Sequence, residues 1–217
     1  MKKFKITLII AAVMVLLGGM VIPAAAATFI EDASTAANGE ITYNNGLGTY
    51  DNPYVLEEYL YGGHYVIEIG GMPNEGDKAG TGHVTSFWLL KKVWNMSNIA
   101  WSSFDNELWQ EYGVASSDGD GLSFAQGYTG TRFYSSVLTS WTEISDVRDY
   151  VNFFNGVVEP GGFFYMKMII SDNSPTDIFW LNQEPNRKAD NVPEPATMML
   201  LGFGLAGLAG LRKKFQK

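Results

Sequence analysis

Near the carboxyl end, Val192-Pro193-Glu194-Pro195-Ala196-Thr197 leads into sixteen uncharged residues, Ala196 to Leu211, and then Arg212-Lys213-Lys214. The chemistry this order suits is proteolysis at a membrane. Pro193 and Pro195 remove two backbone donors and disfavour helix just ahead of them, so Pro193-Glu194-Pro195 is expected to stay extended and open to a membrane-embedded protease. As a helix, residues 196–211 would span about 24 Å at ~1.5 Å per residue. That falls short of the ~30 Å hydrocarbon core by an amount that bilayer thinning and snorkelling absorb. Arg212, Lys213 and Lys214 would act as a stop-transfer cluster on the cytoplasmic side.

Other candidate chemistry is sparser. Glycoside hydrolysis needs two carboxyl groups facing one cleft, and Glu57 with Glu58, Glu68, and Asp105 with Glu107 are the candidate pairs. On a strand, Asp105 and Glu107 share a face and are expected to point to solvent. Serine catalysis has only His64 and His83 as bases and no G-x-S-x-G turn, so the expectation is a protein that is not an enzyme. Asp118-Gly119-Asp120-Gly121 opens like a calcium loop, but Leu122 takes the third ligand place and no glutamate stands twelfth. Asp118 and Asp120, with Asp172 or Asp177, remain the candidate calcium ligands, and no other cofactor is expected. The absence of cysteine excludes disulfides, thiol catalysis and zinc-thiolate sites. Gly202-x-Gly204-x-x-Gly207 has the spacing of a dinucleotide fingerprint without the preceding strand or following acid that its mechanism needs. Tryptophan faces are the flat apolar surfaces on which sugar rings stack, and Trp94, Trp109 and Trp141 are the candidates for exposure because polar residues adjoin them.

The tail from Val192 to Lys217 resembles the PEP-CTERM sorting domain of Gram-negative bacteria. That resemblance implies recognition at Pro193, Glu194 and Pro195 by an integral-membrane exosortase, transient parking of residues 196–211 in the inner membrane, and final release to the cell surface or extracellular space. It further implies work in an exopolysaccharide-rich biofilm or floc.

The amino end agrees. Lys2, Lys3 and Lys5 precede an apolar run from Ile6 to Ile22, and Ala25-Ala26-Ala27 offers a small-x-small cleavage site at Ala25 and Ala27. The expected divisions are a signal peptide over 1–27, an ectodomain over 28–182, a polar tether over 183–191 and the sorting signal over 192–217, with its transmembrane helix at 196–211. Without the two signals, residues 28–190 carry eight basic against twenty-two acidic residues, a net charge of −14. Such a surface excludes nucleic acid as a partner and leaves the secretion machinery, exosortase and exopolysaccharide.

The elements that must position these residues show mostly period two. Strands are expected at Gly39 to Tyr43, His64 to Ile69, His83 to Trp94, Ile99 to Leu108, Gly121 to Gln126, Phe163 to Ser171 and Thr176 to Asn182, with Gly62-Gly63 among the turns. Ser145 as N-cap with Val147, Tyr150, Val151 and Phe154 at helical spacing before Gly156 predicts one short helix. The whole predicts an all-β, antiparallel β-sandwich of jelly-roll or immunoglobulin-like kind with that helix at one end. The stretch Asn98 to Leu108 also resembles a strand pattern of secreted bacterial β-sandwich ectodomains. Two further readings stand beside sugar binding: a secreted polysaccharide hydrolase and a purely structural matrix subunit.

Overall fold

A computed structural model describes residues 27–44, 46–71, 80–117, 119–173 and 178–186. The leader with Ala25, the loop aspartates Asp118 and Asp177, and the tail with its Pro-Glu-Pro triplet, apolar run and basic cluster lie outside the described residues.

The described chain is all-β and forms two sheets. The first, seven-stranded, runs β1 (Thr28–Glu31), β4 (Tyr65–Gly70), β12 (Phe179–Pro185), β6 (Trp101–Glu111), β10 (Tyr150–Val158) and β9 (Ser140–Ile144), with β7 (Val114–Ala115) also on β6. The second runs β2 (Gly39–Asn44), β3 (Tyr54–Leu60), β5 (Thr85–Asn95), β11 (Phe163–Asp172) and β8 (Phe133–Ser135). Every pairing is antiparallel except β3 with β5, which is parallel. The longest ladder joins β5 to β11 from Phe163 opposite Trp94 to Asp172 opposite Thr85.

The two sheets share one core. Ile67, Phe104, Phe153 and Leu181 of the first pack with Leu56, Leu89, Phe164 and Met166 of the second. Phe104 meets Phe164 edge-on at 5.4 Å, and Phe87 meets Phe179 at 6.4 Å. Such ring pairs add about 0.5–1.5 kcal/mol beyond the area they bury.

The predicted helix is a strand. Residues 145–149 form a loop, and Tyr150–Val158 is β10, paired to both β6 and β9. Helical spacing had grouped Val147 with Tyr150, Val151 and Phe154, but Val147 is 75% exposed. The residues that pack are Val151 and Phe153, at a spacing of two, and two flanking ladders plus core burial outweigh the weak local helix signal. Asp149, in that loop, is a buried hub whose carboxylate accepts from Ser116 Oγ at 2.7 Å and Gln126 Nε2 at 2.6 Å. Gly156 does not cap a helix. Any Cβ there would stand 2.1 Å from the Val137 carbonyl oxygen, so the position demands glycine for close approach of two backbones.

Three other expectations shift. Gly121 to Gln126 does not form a strand: a single bridge joins Ser123 to Ser171, and Ala125 at φ 53° breaks the extended run. The expected tether begins late, because Gln183, Glu184 and Pro185 belong to β12 between β4 and β6. Ala27, placed in the leader, is buried in the core beside the start of β1. Among the described residues no helix is long and apolar enough to cross a membrane, and a 3-10 turn at Ala36–Asn38 is the helical element found there.

Replacing Gly156 with alanine should lower unfolding free energy by about 1–3 kcal/mol, the usual cost of overpacking, as measured by urea titration. Unchanged stability would mean that the register shift between Phe154 and Val158, within which Gly156 lies, relaxes freely.

Candidate functional site

Alternation along β3, β5 and β11 sends Leu56, Leu60, Val93, Phe164 and Met166 into the core and their neighbours outward. The outward residues fall into rows across the sheet. Tyr59, Trp94 and Phe163 form one row, Glu57, Lys92 and Tyr165 the next, and Val55, Leu90, Lys167 and Tyr134 a third. Rows on one face lie about 6.6–6.8 Å apart, so three rows make a continuous strip.

The strip is aromatic with cations set into it. Tyr59 and Trp94 are parallel within 4° at 5.9 Å, and Trp94 meets Phe163 at 4.7 Å. Lys92 Nζ sits 4.5 Å from the Trp94 ring centre and 5.0 Å from that of Phe163, while donating to Glu57 Oε1 at 2.8 Å. Trp94 Nε1 donates to the same oxygen at 2.9 Å. The Lys92 and Trp94 hydrogen bonds hold the Glu57 carboxyl below its ordinary pKa, and the Glu57 bond raises that of Lys92. Phe163 and Tyr165 remain about two-fifths exposed.

At the third row the face opens into a groove of about 390 Å³ lined by Tyr50, Trp88, Thr131, Phe133, Tyr134 and Lys167. Lys167 Nζ lies 3.5 Å from the Tyr50 ring centre and donates to the Tyr50 carbonyl at 2.6 Å. Burial pushes its pKa down, with Asp51 pulling weakly the other way. Among the described residues no carboxylate comes within ion-pair distance of it. Tyr50 and Tyr134 are more than half exposed. The indole N–H of buried Trp88 has no hydrogen-bond partner among the described residues.

The three tryptophans expected at a sugar site do not meet. Trp94 is in the strip. Trp109 lies on β6 of the other sheet, edge-on to Tyr112 at 5.6 Å. Trp141, 42% exposed on edge strand β9, leans on Phe133 and Phe153. Sequence reasoning missed Tyr59, Phe163, Tyr165, Tyr50, Tyr134 and Lys167, although Phe163-Phe164-Tyr165-Met166-Lys167 already alternates ring or cation with core residue.

The acidic candidates separate as well. Glu57 and Glu58 point to opposite sides of β3. Asp105 and Glu107 do share a face, but they are 2% and 5% exposed, not solvent-facing, and Glu107 pairs with Arg148 at 3.5 Å. Glu68 is half-buried on β4. Asp120 and Asp172 line one cavity, yet both Asp120 oxygens already accept hydrogen bonds from Ser116 Oγ, Leu122 N and Ser117 N. No group of three metal-ligating side chains occurs among the described residues. His64 is exposed, and His83 Nδ1 meets Ser171 Oγ at 2.9 Å, beside Ser123.

Beyond the last described residue, the model of the PEP-CTERM protein-sorting motif matches residues 191–214. The chain carries a PEP-CTERM sorting motif. This motif implies export, transient membrane anchoring and processing by an exosortase. No curated protein matches the chain.

Asn95-Met96-Ser97 has the form of a glycosylation sequon, but the Asn95 side chain is fully buried. Its Nδ2 donates to the Ile99 and Val158 carbonyls at 2.8 and 2.9 Å, and its Oδ1 accepts from Ser97 N and Oγ. We expect Asn95 to carry no glycan and Asn95→Ala to cost about 2–3 kcal/mol, the penalty of orphaning buried carbonyls. Peptide mass mapping and denaturant unfolding check the two halves.

Proposed function

We propose that the protein is an exported, non-enzymatic β-sandwich ectodomain that exosortase releases to the cell surface or extracellular matrix, where it binds exopolysaccharide. The observation that carries the binding reading is the outer strip of the β3–β5–β11 face. There, ring faces lie side by side, and Lys92, Glu57 and Lys167 can bond sugar hydroxyls or acidic groups. Flat apolar rings with a few placed polar groups suit stacked pyranoses. The net charge of −14 keeps the remainder of such a domain soluble and away from anionic lipid.

The hydrolase reading finds less support. Glu57 and Glu58 lie on opposite sides of a strand, and the Asp105–Glu107 face is closed from solvent. A purely structural subunit would need none of the strip's exposed rings.

The test uses purified ectodomain and exopolysaccharide from the same host, in affinity electrophoresis. Trp94→Ala with Phe163→Ala, and separately Tyr134→Ala, should each weaken retardation about tenfold, since losing one or two stacking contacts is worth roughly 1.5 kcal/mol. Trp109→Ala on the other sheet should leave it unchanged. Equal retardation of all variants would sink the binding reading. Deleting exosortase should separately leave a longer, membrane-held form; an unchanged mature mass would sink the sorting reading.

A further inference from the structure

The core contains a charged cluster that the binding strip does not use. Lys91 and Glu58 are both completely buried, and Lys91 Nζ lies 3.3 Å from Glu58 Oε2. Lys91 reaches across from β5 to two carboxamides on the facing sheet, Asn106 of β6 and Gln183 of β12, which stand opposite each other in the ladder. Nζ donates to Asn106 Oδ1 at 3.0 Å and to Gln183 Oε1. Asn106 is held at both ends, because its Nδ2 donates to Met166 Sδ. Gln183 is not. Its Nε2 completes no hydrogen bond of normal geometry, and neither does either oxygen of Glu58, although Glu58 lies against the Gln183 carboxamide. Phe104 stands 5.0 Å from Nζ and closes the cluster from water.

Buried polar groups without a well-placed partner are costly, and beside this one amine Gln183 Nε2 and Glu58 Oε1 have none of normal geometry. We propose that Lys91 and Gln183 join in an intramolecular amide crosslink between the two sheets, with Glu58 relaying the proton. The lone pair of the neutral Lys91 amine forms a bond to Gln183 Cδ, and the Cδ–Nε2 bond breaks. Protonated Glu58 gives its proton to Nε2, which leaves as ammonia, and takes in exchange the proton that Nζ sheds, so the carboxyl ends as it began. One amide replaces another, so no oxidant or co-reactant is needed. Burial favours the required starting forms, pushing Lys91 below and Glu58 above their ordinary pKa values despite their mutual attraction. Fixed proximity in a dry site replaces the enzyme that such an aminolysis would otherwise need. The product leaves neither the titratable amine of Lys91 nor the primary carboxamide of Gln183 between the two sheets. In a chain without cysteine it ties residues 92 positions apart by a bond no reductant opens.

The test is the mass of the purified full chain after denaturation. It should fall short of its sequence mass by one ammonia, and digestion should yield a branched peptide joining Lys91 to Gln183. Glu58→Gln and Lys91→Arg should show the full mass and no branch. A wild-type chain at full sequence mass would overturn the proposal, and so would a branch ending at Asn106. Equal crosslinking in Glu58→Gln would overturn the relay. Should that variant fail to fold, the branched peptide of the wild type remains decisive.

Discussion

Strand β5 fixes two surfaces at once because a pleat can send neighbouring side chains only to opposite sides. With β3 parallel on one flank and β11 antiparallel on the other, its register is set twice, so Lys91 must enter the core and Lys92 must leave it. A slip by one residue would bury the outer rings and expose Leu89 and Val93. The partner strand obeys the same rule: Glu58 goes in to meet Lys91, and Glu57 goes out to meet Lys92. The interior pair and the exterior pair are therefore two readings of one ladder.

The two pairs do not weigh equally. The outer one is a quarter to a third exposed, and such surface pairs contribute about 0–1 kcal/mol. The inner one would take both ions out of water at several kcal/mol each, which is why burial pushes Lys91 and Glu58 toward their neutral forms. Stability alone gives little reason to keep Lys91 and Glu58 in a core otherwise filled by Leu56, Phe104 and Phe164.

Much of the sheet was legible where alternation is clean: β2, β4, β5, β6 and β11 lie within a few residues of their expected places. β3 was overlooked because Glu57-Glu58 interrupts its apolar alternation, and the interruption is the inward glutamate itself. β10 was misread because Val147, Tyr150, Val151 and Phe154 fall at helical spacing while the inward strand face, Val151 and Phe153, lies within the same stretch, and only the pairing with β6 and β9 decides between them. The sorting motif was readable because its signal is local: prolines, an uncharged run and a basic end in fixed order. The aromatic strip was not, because its rows join residues from β3, β5, β11 and the Tyr50 loop, and no local pattern encodes which strands become neighbours.

β12 is the last described strand, and it is not an edge. It lies between β4 and β6 in the seven-stranded sheet, ending at Pro185, eleven residues before Ala196, where the apolar run begins. Eleven residues reach at most about 40 Å even fully extended, roughly the diameter of a domain this size. While the tail is anchored, the domain therefore hangs on a leash no longer than itself. Any drag on it enters through a strand clamped on both sides, so pulling it free along its axis means shearing two ladders together instead of unzipping one.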